Sequence, residues 1–280
     1  MPTTVTEVSP DRFQQLNAMC VPPGKDAPDV LAAMSESADA MRKAFAEGLR
    51  VFGAFIDSRP VGRLEISPVE AAPVPLRGRN ARVIRCIWVI EKAAGLGLGR
   101  RLLELALGAV EAQTVAVLTY PDWMPPAFFE KFGFRQVQRH GEATVLVRSM
   151  QRVDESARND PAEFNGSPAA PETAGISYVP VKPELQVSPD FVRVDAVYTP
   201  RCPWRIVNVR QRLATARDLS DRVMTYEHRL NSREDALRLG EEYTYVDGQP
   251  LYGGPVSKEV FLHAVKKRLR DKGLFHATMT

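Results

Sequence analysis

The sequence predicts an α/β protein of two domains, a larger one over residues 1–150 and a smaller one over 190–280. Three observations carry this. Short apolar runs alternating every second residue are interleaved with runs of helical composition in both regions. Residues 151–189, which contain "NDPAEFNGSPAAPETAGISYVPVKPELQVSP", are rich in proline with small and acidic residues and lack a periodic apolar pattern, the composition of a linker. At 280 residues, the chain also exceeds the usual size of one domain.

Each element has a local reason. "TTVTEV" alternates like an edge strand, and Ser9-Pro10-Asp11 supplies cap chemistry for a helix through "DRFQQLNAMC". "DVLAAMSESADAMRKAFAEG" has helical composition, with Gly48 placed to stop it before the strand "LRVFGAFID". After a turn at Ser58-Arg59-Pro60 come the strands "VGRLEI" and "ARVIRCIWVI", the latter nearly all apolar and so expected at the centre of a sheet. The helix "GRRLLELALGAVEAQ", the strand "TVAVLTY", a short helix "PPAFFEKFG" and the strands "FRQVQRH" and "ATVLVRS" complete the first domain. In the second, strand "FVRVDAVY", a helix opening at Pro203, strand "RVMTYEH", the capped helix "NSREDALRLG", a hairpin turning at Asp247-Gly248 and a terminal helix "SKEVFLHAVKKRLRD" follow in order.

Composition excludes several classes. With 44% hydrophobic and 25% charged residues the chain has the means for a packed core. Lys and Arg total 37 against 34 Asp and Glu, a net charge of +3, which makes no case for a nucleic-acid partner. "VIRCIWVI" is interrupted by Arg85 and is far shorter than a membrane span, so no membrane partner and a cytoplasmic location are expected. Cys20, Cys86 and Cys202 are far apart in sequence and form neither a metal-ligand cluster nor an even disulfide framework, so reduced thiols are expected. His228, His263 and His276 lack metal-ligand spacing, and no metal is expected.

The sharpest local signal is "EKAAGLGLGRRLLELAL", residues 91–107, where a central strand runs into three alternate glycines and then a helix. Unpaired N–H groups and the helix dipole converge at such a junction and attract an anion. Gly95, Gly97 and Gly99 are expected to permit positive φ and to remove Cβ atoms that would hold a phosphate away from the amides. The alternative is a glycine-rich turn that only packs the helix on the sheet. A Walker A loop would end in Gly-Lys-Ser/Thr and a dinucleotide fingerprint would space its later glycines more widely, so neither fits.

The stretch resembles the acyl-CoA loop of the GNAT acyltransferases, Arg/Gln-Gly-x-Gly-x-Gly/Ala after a strand and before a helix, and "PAFFEKFGF" is similar to the family's later motif. The resemblance covers residues 1–150 and implies a mixed, splayed sheet with acetyl-CoA as acyl donor. It implies that Gly95, Leu96, Gly97, Leu98, Gly99 and Arg100 form the phosphate loop and that Val89 and Ile90, with Trp88 beside them, pair with the pantetheine arm. The backbone N–H of Val89 is then the expected oxyanion donor. Two departures matter. Ala94 stands where the family usually has Arg or Gln, leaving the pyrophosphate mainly to main-chain amides. Phe129 stands where many members carry the tyrosine that protonates the departing thiolate.

For the remaining chemistry Glu65 is a candidate base, with an ion-paired strand residue as the alternative. Tyr120 is the candidate acid, near Asp122 at the C-terminal end of a strand, with a tyrosine capping the core edge as the alternative. Cys86 is expected to be a buried small hydrophobe. The second domain resembles a thioredoxin fold, and both halves together resemble GNAT proteins with a YoaP-like C-terminal domain. Arg205 occupies the position of the second cysteine of a dithiol motif, so Cys202, between Arg201 and Arg205 at a helix start, is expected to be a lone thiol of depressed pKa. The expected function is acetyl transfer to a primary amine of a small molecule, with a homodimer left open. The alternatives are a non-catalytic acyl-CoA sensor whose second domain binds a partner, and monothiol chemistry at Cys202.

Overall fold

A computed structural model describes residues 2–21, 27–150, 175–251 and 257–274, so most of the segment read as a linker, and His276, lie outside the described residues. Strand β1 (Thr3–Val8), short helix α1 (Phe13–Asn17) and helix α2 (Pro28–Ala46) lead into β2 (Arg50–Ile56), β3 (Arg59–Pro68), β4 (Leu76–Arg77) and β5 (Ala81–Val89). Helix α3 (Leu98–Ala109), β6 (Thr114–Thr119), α4 (Pro126–Glu130), β7 (Arg135–His140) and β8 (Ala143–Ser149) follow. The main sheet runs β1-β2-β3-β5-β6-β8-β7, so "TTVTEV" is an edge strand and the apolar "ARVIRCIWV" is central, as their patterns require. Helix α3 stops at Ala109, shorter than expected, because Val110 is extended (φ −97°, ψ 134°).

The central strand explains the shape of the sheet. β5 pairs with parallel β6 only over Ala81–Ile84, and beyond that the two strands splay apart. On its other side β5 pairs with β3 throughout, but Glu65 faces Cys86 while Ile66 faces Ile84, which leaves Arg85 as an extra, bulged residue. The bulge reverses the alternation of faces. Ile84 packs in the core under α3, and so do Ile87 and Val89, while Arg85 and Cys86 are left to the opposite side.

The described end of the segment read as a linker is tied to the first domain. Strand β9 (Ser177–Tyr178) pairs with β4, and Ile176 and Tyr178 are buried in its core. Two paired residues are too short a run to show periodicity in sequence.

The second α/β domain comprises β10 (Val192–Tyr198), α5 (Pro203–Arg217), β11 (Val223–Arg229), α6 (Arg233–Leu239), β12 (Thr244–Val246), β13 (Gln249–Leu251) and α7 (Lys258–Asp271). Its sheet order is β11-β10-β12-β13, with β10 and β11 parallel and the other pairs antiparallel. Ser232 and Ser257 cap α6 and α7 by accepting from Asp235 and Val260, and the hairpin turns on Asp247 and Gly248, both at positive φ.

The domains share a helix. Val30 and Ala33 of α2 are buried in the same apolar cluster as Ile206, Val209 and Phe261 of the second domain. Ala33 is fully enclosed, so an Ala33→Leu substitution overpacks the seam and should cost about 1–3 kcal/mol in chemical denaturation. A solvent-facing helix would accept the same change within about 0.5 kcal/mol.

Candidate functional site

The glycine loop and the end of β5 line one groove. Val89, Ala93, Ala94, Gly95, Gly97, Leu98, Gly99 and Arg100 line one wall, with Phe128, Lys131 and Phe132 opposite, around a volume of about 390 Å³. Gly97 caps α3 in the left-handed region (φ 71°, ψ 8°) and Gly95 also has positive φ (79°). Gly99 does not: it lies in the first turn of α3, and a Cβ there would meet nothing nearer than Phe128 at 3.6 Å, so its glycine leaves room in the groove rather than supplying an unusual φ. Arg101 N–H already donates to the Gly97 carbonyl, which leaves the N–H groups of Leu98, Gly99 and Arg100 as the first-turn donors with no partner inside the helix. Leu96 is exposed on the loop.

The strand end divides its backbone between protein and groove. Ile90 N–H donates to Val61 O at 2.9 Å, and the Ile90 carbonyl accepts from Ala93, so its N–H is taken up inside the protein. Since backbone groups alternate sides along a strand, Val89 N–H points away from β3 into the splay. Trp88 is exposed and stacks on Trp123 with centroids 5.7 Å apart. Lys131 is a groove cation that sequence reasoning does not single out; its signal lies in "FFEKFG", a motif that draws attention to the aromatic before it. That aromatic, Phe129, is wholly buried against Phe128 and Phe134, so it faces core and not groove.

On the opposite face of β3 and β5 the second domain covers a charged cluster. Glu65 has 0% exposure and sits between Arg63, at 3.2 Å, and Arg201, the latter reaching in from the loop before α5. Burial alone would raise the carboxyl pKa; the charges of Arg201, Arg63 and Arg85 outweigh it and hold Glu65 below the usual carboxylate range. A carboxylate so held is a strut. Ser37 of α2 donates to the Arg201 carbonyl at 2.6 Å, and Arg205 binds Glu242 through Nε at 3.0 Å.

Residues 18–134 match the model of the acetyltransferase (GNAT) family. That match lies wholly within the first domain and covers under half of the chain. Similar solved structures include the PaiA N-acetyltransferase from Thermoplasma acidophilum in complex with coenzyme A, 12% identical over 53% of this chain and 99% of that one, with a TM-score of 0.41. An acetyltransferase from Thermus thermophilus is 20% identical over 53% and 97% of the two chains, TM-score 0.40. A GNAT family N-acetyltransferase from Escherichia coli in complex with CoA is 16% identical over 53% and 82%, TM-score 0.38. No curated protein matches the chain.

The three cysteines, remote in sequence, gather where the first domain meets the second. Cys202 is the N-cap of α5 and is only half-buried; a hydrogen bond from Cys20, opposed by burial and helped by the Arg63 charge and the Arg205 backbone N–H, brings its thiol down to about 6. Cys20 is correspondingly pushed up by the same contact with Cys202 and by burial. Burial pushes Cys86 up to about 11, in keeping with an inert core thiol. The Cys20 thiol that acts on Cys202 comes from the other domain. Among the described residues no group of three or more His, Cys, Asp or Glu has the arrangement to hold a metal ion, and no helix is long and apolar enough to cross a membrane.

Tyr120 stands at the end of β6, held in a bridge with Trp123, and its hydroxyl donates to Glu241 of the second domain. The hydroxyls of Tyr178 and Tyr243 donate to the same carboxyl, so three tyrosines converge on one buried acid. Asp122, two residues after Tyr120, is exposed. Burial pushes Glu241 up to about 8, with the Tyr243 hydrogen bond working against it. A carboxyl raised in this way contributes its stabilising effect fully below its unfolded value of 4.5 and loses it as the pH rises through about 8. The melting temperature of the native chain relative to a Glu241→Gln variant should therefore fall between pH 5 and 8 and level off above; a pH-independent difference would show that Glu241 is ionised throughout.

Proposed function

We propose that the chain is an acetyl-CoA-dependent N-acetyltransferase acting on the primary amine of a small molecule, with the second domain forming a wall of the acceptor site. The observation that carries this is the groove: a splayed strand whose Val89 N–H faces the gap, above a helix start with three amides directed at it and two flanking cations, Arg100 and Lys131. Those amides and cations suit a pyrophosphate, and the Cβ-free conformations at Gly95 and Gly97 let it approach. Acetyl-CoA, when bound there, supplies an activated acetyl thioester. The protein's part is to align it along Val89, whose N–H is placed to hold negative charge on the acyl oxygen. Tyr120 Oη supplies the proton for the thiolate and regains it from Glu241, whose carboxyl remains protonated near neutral pH, and the proton that the amine nitrogen loses on acylation passes to water, from which Glu241 is reprotonated. Glu65 acts by fixing Arg201 and through it the second domain, since two guanidiniums disfavour its taking up a proton from the amine.

The parallel β10-α5-β11 unit followed by the β12-β13 hairpin and α7 supports the thioredoxin-like reading of the second domain. A Gly97→Val substitution forces a β-branched residue into positive φ and should abolish acetyl-CoA binding by calorimetry, whereas Tyr120→Phe should bind normally and lose turnover in a CoA-release assay. Full binding by the valine variant would remove the acyl-CoA reading. Binding without turnover across an amine panel in the native chain would instead support an acyl-CoA sensor.

A second reading, thiol chemistry at Cys202, is favoured by one observation, the Cys20 thiol against it. Its alkylation by iodoacetamide should then follow a titration with a midpoint at about pH 6, and Cys20→Ser should move the midpoint upward. A midpoint near that of an ordinary thiol would exclude an activated Cys202.

A further inference from the structure

The seam between the domains gathers four guanidiniums, Arg63, Arg85, Arg201 and Arg205, around two carboxylates. Glu65 takes Arg63 and Arg201, and Glu242 takes Arg205. Arg85 is left over. It is 7% exposed, and its Nε and Nη2 are buried without a hydrogen-bond partner among the described residues. Glu65 and Glu242 act on it only through space, while burial and the Arg201 charge pull its pKa well below the usual arginine range.

The two orphaned nitrogens are one edge of the guanidinium. The same edge of Arg193 holds the Asp195 carboxylate, Nε at 2.9 Å from Oδ2 and Nη2 at 2.8 Å from Oδ1, which is the two-pronged geometry that suits a carboxylate. Arg85 lines a cavity of about 40 Å³ at the domain seam, where Arg201, Lys43, Pro200 and Asn231 also contribute. One water needs roughly 10–15 Å³, so there is room for a small group with two oxygens. Glu47 is the one carboxylate on the lining, and it is paired with Lys43 at 3.8 Å.

We propose that this interdomain cavity binds a small carboxylate, held edge-on by Nε and Nη2 of Arg85. The bulge in β5 gives the site its position, because the extra residue turns Arg85 toward the second domain instead of into the core under α3. The carboxylate is either a free small acid or the acid group of an amine-bearing molecule, and the chemistry of recognition is the same.

Thermal unfolding of the full chain in formate, glycine and chloride, at constant ionic strength, tests this. Formate should raise the melting temperature saturably and chloride should not reproduce it, since a single charge cannot satisfy both nitrogens. Arg85→Met should weaken formate binding by roughly 10-fold or more, as expected for a lost charge-assisted pair. In formate-free buffer that variant should melt no lower than the native chain, because it removes an unpaired buried charge. Arg85→Lys keeps the charge without the fork and should lose the preference for formate over chloride, which decides the matter if the methionine variant does not fold. A glycine response above that of formate identifies an amine-bearing ligand, and an equal response identifies a free acid. No saturable formate response, or the same response in the native chain and both variants, would mean that the cavity holds water alone and would overturn the proposal.

Discussion

A carboxylate with no exposure has to be paired, and the pairing of Glu65 organises the molecule. Removing one partner from a buried ion pair typically costs about 3–5 kcal/mol, because the remaining charge is stranded. Arg63 lies two residues away on the same strand and is equally buried, and the second pairing is with Arg201, contributed from across the seam. The charge on β3 therefore demands the second domain in place. Apolar packing agrees with that demand, since α2 lends Val30 and Ala33 to the core of the second domain. The position of Arg201 in turn sets Cys202, its neighbour in sequence, beside Cys20 and within the field of Arg63.

What is legible in the sequence is what local physics determines. Alternation and composition place β1 at the edge and β5 at the centre, proline and serine mark the starts of α5, α6 and α7, and Asp247-Gly248 marks a hairpin. The glycine run is legible as a left-handed turn from a strand into a helix because each requirement, a strand end, positive φ and a helix start, is written within ten residues. The roles within the run are less so. Gly99 follows helical geometry and Ile90 directs its N–H to Val61, and neither fact follows from the spacing of glycines.

The interdomain features are illegible for a different reason. Glu65 and Arg201 are 136 residues apart, Tyr120 and Glu241 are 121 apart, and no periodicity relates them. Cys20 and Cys202 look unrelated until α2 and α5 pack. The pair β4 and β9 is two residues long on each side, so the anchoring of residues 177–178 depends on the buried side chains of Ile176 and Tyr178 and not on a strand pattern.

Strand β5 is where these two kinds of information meet. Before its bulge Val83 and Ile84 face opposite cores; after it, Ile87 and Val89 return to the α3 side while Arg85 and Cys86 are left toward the second domain. One inserted residue thus makes a single strand serve two chemistries. Its α3 side continues into the groove lined by Val89 and the glycine loop, and its other side carries charge into the seam with Arg201, Glu242 and Cys202. The residues of the Arg85 and Glu65 cluster and the Val89 amide thus lie on paired strands of one sheet. β5 is in this sense the element that borders both the second domain and the groove.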